Sequence, residues 1–231
     1  MKLGGFGNND ILERVQLKFL KYILGLKAST PSAMVYGETG VFPLKVDIDT
    51  RVIKYWANII QPTIHKITTK MYFHIHNLYI NSNSERTTKN FSWLSNIKNI
   101  LCKCGYHGIW LSHSFANNEW LTNAINLKLK DIFITEWYSE TNHATSFKFY
   151  KTIKNSFGME AYLSKDYNKN VKSFARFRTR HHRLPIETGR WSNITYENRK
   201  CNRCDITIGD EYHYIIECPF FRDTKTQICS C

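Results

Sequence analysis

Apolar positions in this chain recur at helical spacing along most of its length, and the alternation a strand needs is nearly absent. A continuous helical pattern over residues 11–24 follows Asp10, suited to cap the first turn, and Gly25 stands where a helix ends. Residues 27–42 read as short and turn-rich, with Thr30-Pro31 as cap and first helical position and with Gly37 and Gly40 as breaks. Pro43 opens a long helix in which Val46, Thr50, Ile53, Ala57 and Ile60 recur at helical spacing, closed by Gln61-Pro62. The apolar segment 64–80 runs into a polar stretch, 81–90, that reads as an exposed loop. Two amphipathic helices are predicted next, over 91–101 and 117–138, the second with Leu121, Ile125, Leu129, Ile132, Phe133 and Trp137 on one face. Between them, residues 102–108 form a glycine-broken turn. Shorter helical pieces are predicted over 146–156 and 159–179, and only 196–208 offers some strand character. The predicted fold class is mainly α: a helical body followed by a small C-terminal metal-binding module.

Composition narrows the classes. The chain's 231 residues suffice for one sizeable domain or two small ones, and 42% apolar content is enough to pack a core. No apolar run approaches the roughly 20 residues of a bilayer span, and the first sixteen residues lack the apolar core of a signal peptide. An intracellular protein, nuclear or cytoplasmic, is expected. The net charge of +13 points to a polyanionic partner, nucleic acid before an acidic membrane. Seven cysteines, an odd number in a reducing compartment, read as metal ligands in part rather than as a disulfide framework.

The sharpest chemical signal is Cys201, Cys204, His213 and Cys218, spaced C-x2-C-x8-H-x4-C. Two cysteines two residues apart can place both thiolates about 2.3 Å from one Zn²⁺ from a single turn, and His213 with Cys218 can complete a tetrahedron. Four protein ligands leave no open position, so the expected cofactor is structural zinc, whose binding serves as local folding free energy. Gly209-Asp210 supplies the reversal between the halves. The alternative is buried inert thiols beside a core histidine. Cys229 and Cys231 read as a frayed tail, and Cys102 and Cys104, with only His107 and His113 nearby, as ordinary thiols.

Charge concentrates just before this cluster. Residues 165–203 hold eleven basic side chains against three acidic ones, a net +8 of the total +13 in about a sixth of the chain. Candidate nucleic-acid contacts are Arg176, Arg178, Arg180, His181, His182, Arg183, Arg190, Trp191, Arg199, Lys200 and Arg203. Guanidinium groups suit bidentate phosphate contact, and Phe174, Phe177 and Trp191 could stack on bases. The competing expectation is a solvated helix face with its aromatics in the core. The remainder of the sequence shows no acidic counter-surface.

Catalysis has little support. A polymerase or nuclease needs clustered carboxylates to hold two divalent ions. Asp47 and Asp49 read instead as first-turn acids favoured by the helix dipole, and His74 and His76 as structural. Phosphate loops, nucleophile elbows and His-Glu-x-x-His helices are missing from the sequence.

The runs 13–25, Tyr36-Gly37-Glu38-Thr39-Gly40 and Pro43-Leu44 resemble the region after the reverse transcriptase domain in LINE-type, non-long-terminal-repeat retrotransposon polyproteins of animals. So does the stretch from Phe177 through Leu184-Pro185-Ile186-Glu187-Thr188-Gly189-Arg190-Trp191, leading into Cys201-Asn202-Arg203-Cys204 and Gly209-Asp210-Glu211-Tyr212-His213 to Cys218-Pro219. The resemblance covers essentially the whole chain. It implies thumb and linker helices over 1–164, a basic nucleic-acid-binding segment over 165–200 and a zinc knuckle over 201–231, together engaging element RNA or target DNA. The family's fingers, palm, catalytic Asp-Asp motif and endonuclease have no counterpart here, so no residue inherits polymerase activity. The rival readings are a protein-interaction scaffold and a relic of a decayed element.

Overall fold

The computed structural model describes residues 11–61, 66–81, 92–143, 147–164 and 169–222. Asp10, Pro62, the polar stretch 82–90, Lys165, Cys229 and Cys231 lie outside them. The structure is mainly helical, 74% helix, and no strand forms among the described residues. In chain order the helices are α1 (Ile11–Leu24), α2 (Ser32–Thr39), α3 (Leu44–Ile60), α4 (Lys66–Asn81), α5 (Ser92–Lys103), α6 (His107–Ser112), α7 (Asn118–His143), α8 (Lys148–Ile153), α9 (Lys169–Arg178) and α10 (Pro185–Trp191). The predicted strand character at 196–208 reduces to one bridge, Lys200 to Ile208. The chain packs as two compact units, one from the described parts of 11–16 and 41–139, the other from 17–40 and 140–222. This division runs through α1 and α7 and so does not follow the three sequence blocks.

In the first unit, α3 starts at Pro43, which offers no side-chain acceptor to the free N–H groups of the first turn. The C-terminal residues of this unit's α1 segment supply them: Gln16 Oε1 accepts the Leu44 N–H at 3.1 Å and Glu13 accepts the Lys45 N–H at 3.4 Å. A buried carboxylate at a helix N-terminus is favoured by the dipole. The predicted positions Val46, Thr50, Ile53, Ala57 and Ile60 all turn inward. Ile53 and Trp56 form a core with Tyr72 of α4, Leu94, Ile97 and Leu101 of α5, Trp110 of α6, and Leu121 and Ile125 of α7. Asp47 occupies the first turn of α3 as expected, whereas Asp49 lies further on, buried and paired with Lys45 at 2.9 Å.

In the second unit, the stretch read as turn-rich folds as α2, with Gly37 inside it. Residues 33–38 are all buried, so the helix has no polar face and left no amphipathic signature. Gly40 ends it at φ 66°, and a side chain there would stand 2.3 Å from the Met159 nitrogen. The Glu160 N–H completes this approach by donating to the Glu38 carbonyl at 3.0 Å. The Tyr150 hydroxyl donates to the Met34 carbonyl, so α8 is tied to α2. The piece predicted over 159–179 divides into a short turn, Ala161–Ser164, and α9, and α10 forms where no helical period was read.

Candidate metal centre

Cys201, Cys204, His213 and Cys218 converge, with their ligand atoms all within 4.8 Å of one another. The Cys201 and Cys218 sulfurs are 3.9 Å apart, and Cys204 Sγ lies 3.3 Å from His213 Nε2. A tetrahedral ion with bonds of about 2.3 Å to sulfur and 2.0–2.1 Å to nitrogen separates such atoms by about 3.8 and 3.6 Å. The cluster can therefore hold a metal ion with small adjustments. Its protonation also favours a cation. Burial alone would raise the Cys201 thiol, but the N–H groups of Cys204 and Arg203 with the Tyr214 and His213 side chains hold it down to about 6. Burial, and then Cys201 beside it, pushes the Cys218 thiol up. Two sulfurs this close cannot both ionise comfortably without positive charge between them.

Local structure explains the convergence. The turn after Cys201 is closed by the Asp205 N–H donating to the Cys201 carbonyl at 2.9 Å, and the Arg203 N–H points at Cys201 Sγ. The chain returns through the Lys200 to Ile208 bridge, and the Cys201 N–H donates to the Thr207 carbonyl at 2.8 Å. Gly209 is required by close approach rather than by its backbone angles: a Cβ there would lie 2.7 Å from Pro185 Cγ and 3.0 Å from Cys201 Cα. Asp210 accepts the His213 N–H at 2.8 Å, which starts the π-helical turn His213–Glu217 and delivers Cys218. Thr207 Oγ1 sits 2.8 Å from His213 Nδ1, so a proton on Nδ1 leaves Nε2 bare toward the cluster. Thr207 has no spacing signature and is visible only in three dimensions, whereas Asp210, expected in the reversal, also caps the turn that carries His213.

The basic residues divide into two sets. Arg178 is a correction: it turns inward, only 7% exposed, with Nε 2.8 Å from Glu38 and a terminal nitrogen 2.9 Å from Glu160, so it offers nothing to a phosphate. Arg180 pairs with Glu187 and Glu211, and His182 Nε2 lies 2.8 Å from Glu211. Arg199 donates to the Ile194 and Ile186 carbonyls and packs beneath Gly189, where a Cβ would meet it at 2.6 Å. Arg178 and Arg180 are thus matched inside the unit by Glu38, Glu160, Glu187 and Glu211, carboxylates scattered in sequence, of which Glu38, Glu187 and Glu211 are buried. Phe174 and Phe177 are likewise engaged, edge-on to Tyr162 and Phe149.

The second set remains at the surface. Arg176, Arg183, Arg190, Lys200, Arg203 and Trp191 are exposed, although Arg190 also reaches Glu187 at 3.0 Å and Arg203 lies over Phe220. His181 is half-buried, and burial followed by Lys27 and Arg176 lowers its pKa.

Cys102 is exposed and Cys104 buried, its thiol pushed up by burial. Neither joins a cluster of three or more metal-ligating residues among the described residues. His74 is exposed, whereas His76 packs in the core against Trp110 and His113. No described helix is long and apolar enough to cross a membrane. The chain matches no protein-family model, no curated protein and no solved structure.

Proposed function

We propose that this chain is a nucleic-acid-binding element ending in a structural zinc knuckle, of the kind that follows the polymerase domain in LINE-type reverse transcriptases. It engages element RNA or target DNA and performs no polymerase chemistry of its own. Four ligands saturate a tetrahedral ion, leaving no position for a substrate, so the zinc stabilises rather than catalyses. The basic segment and the knuckle act together. The observation that carries the reading is the set of cations left exposed after the buried carboxylates are matched: Arg176, Arg183, Lys200 and Arg203 stay at the surface of the unit that holds the metal cluster.

Phosphate binding by such a surface falls steeply with salt, the logarithmic slope changing by about 0.7–0.9 per phosphate engaged. Affinity of the zinc-loaded chain for single-stranded RNA and for duplex DNA across a salt series is the test. The triple variant Arg176→Gln/Arg183→Gln/Lys200→Gln should lower the slope by about 2 to 3. Binding to neither ligand near physiological salt, or a triple variant with the parent's slope, would replace this reading with that of a protein-interaction scaffold.

A further inference from the structure

Trp191, at the end of α10, exposes 52% of its surface, a large cost for an indole that packing could have covered. Its ring is met instead by a cation, with Lys27 Nζ 4.2 Å from the ring centroid. The two residues border a cleft of about 490 Å³, completed by Arg176, His181, His182 and Arg183. That volume lies within the roughly 300–1,000 Å³ typical of small-ligand clefts. Its lining holds no carboxylate. A smaller pocket of about 170 Å³ shares Lys27, His181 and Trp191 but adds Glu187, which pairs with Arg180 and Arg190. Of these two, the larger cleft is the one with no acidic side chain in its lining.

One of its cations, Arg176, is held in place. Arg176 Nε donates to the Gly25 carbonyl at 2.7 Å, and Gly25, at φ 65°, leaves room for the guanidinium, which a Cβ would meet at 2.9 Å. The terminal nitrogens of Arg176 keep their donors for a ligand. Arg183 is exposed and forms no hydrogen bond or ion pair among the described residues. A flat aromatic face beside two guanidiniums and an ammonium matches one ligand chemistry, a π-ring attached to a phosphate.

We infer that this cleft takes a single unpaired nucleotide of a nucleic-acid strand, with its base stacked on Trp191 and its phosphate against Arg176 and Arg183. The inference deepens the nucleic-acid reading and rests on it. The base displaces Lys27 from the indole, and the released ammonium joins the phosphate contacts. A paired base inside a duplex cannot present its face to the ring, so the cleft selects single strands or frayed ends.

The test uses the full zinc-loaded chain with short single-stranded RNA and DNA oligonucleotides carrying one fluorescent purine analogue, and with the matching duplex. The parent should quench the analogue in the single strands. Trp191→Leu should weaken single-strand binding about tenfold while leaving duplex affinity unmoved, and Trp191→Phe should restore most of the loss. Metal content and circular dichroism confirm that the variants fold. No quenching by the parent, or an equal effect of Trp191→Leu on both ligands, would overturn the cleft and leave charge-driven binding standing. A parent that binds no nucleic acid would overturn both.

Discussion

Trp56 and Glu38 are both fully buried, and they sit in opposite surroundings. Trp56 lies among rings and aliphatic chains: Trp110 stacks at 6.3 Å, Phe115 stands at 6.2 Å, and its one polar atom donates to Tyr72 Oη at 2.9 Å. Glu38 lies among charges and hydroxyls, accepting from Arg178 at 2.8 Å and from Tyr162 at 2.6 Å. The same unit buries Glu187 and Glu211 against Arg180 and gathers three cysteines with a histidine. Apolar burial is non-directional and scales with area, so the first unit should lose stability gradually under substitution. Charge pairs and metal ligands depend on each partner, because the survivor of a deletion stays buried alone. The second unit should therefore fail abruptly at single positions.

Removing the metal should have the largest effect. Apparent zinc-binding free energies of roughly 10–16 kcal/mol at such sites exceed anything the residues after Arg199 can recover by packing. Cys204→Ser or a chelator should take metal content from one ion per chain to near zero and abolish amide protection over 200–222. Protection in α3 and α5 should persist. Loss of protection in both places would erase the contrast.

The buried ion pair comes second. Arg178→Met strands Glu38 and should cost about 3–5 kcal/mol in a denaturant titration. The double variant Glu38→Gln/Arg178→Met should recover more than half of that. In the first unit, Ile53→Val, equally buried, should cost only about 0.5–1.5 kcal/mol. Comparable losses for the two single variants would contradict the view that charge organises one unit and apolar area the other.

The smallest effect is a pH dependence inside the apolar unit. The Tyr72 hydroxyl accepts from Trp56 and lies 2.8 Å from His113 Nε2, where a neutral imidazole can accept its hydrogen bond. Burial, then the neighbouring His76, lowers His113 to about 4, and burial lowers His76 as well. The unfolded chain, with imidazoles near 6.5, binds more protons than the folded one at acidic pH. Stability from this network is complete above about pH 6.5 and declines as pH falls toward 4. Thermal unfolding followed by tryptophan fluorescence should show this decline in the parent and a shallower one in His113→Gln. An unchanged slope would remove His113 from the account.

How much of this was readable in sequence depended on the range of the interaction. The α3 pattern at Val46, Ile53 and Ile60 reports a helix with one buried face, and Pro43 and Gln61 mark its ends, so that element was legible throughout. Helix α2 was not, because a helix buried all round has no polar stripe and Gly37 imitates a break. Helix α10 was hidden by Gly189, whose missing side chain makes room for Arg199 rather than for a turn. At the candidate metal site the four ligands follow a local spacing and were visible, as was the reversal at Asp210, while Thr207 acts by reach. Counting charge along the chain overstated the cationic surface, since the carboxylate that neutralises Arg178 is 140 residues away.

That separation has a consequence for synthesis. The first unit draws mainly on one continuous stretch, 41–139, and can close once α7 has emerged. Helix α2 is made earlier but waits for Tyr150, Tyr162 and Arg178 before its groups are matched. At translation rates of about 5–20 residues per second, Glu38 spends roughly 7–28 s on a nascent chain before its guanidinium exists. During that interval residues 33–38, all buried in the folded chain, lack the groups that later match them. Any chaperone that attends this protein on the ribosome should find its binding sequence around residues 33–38.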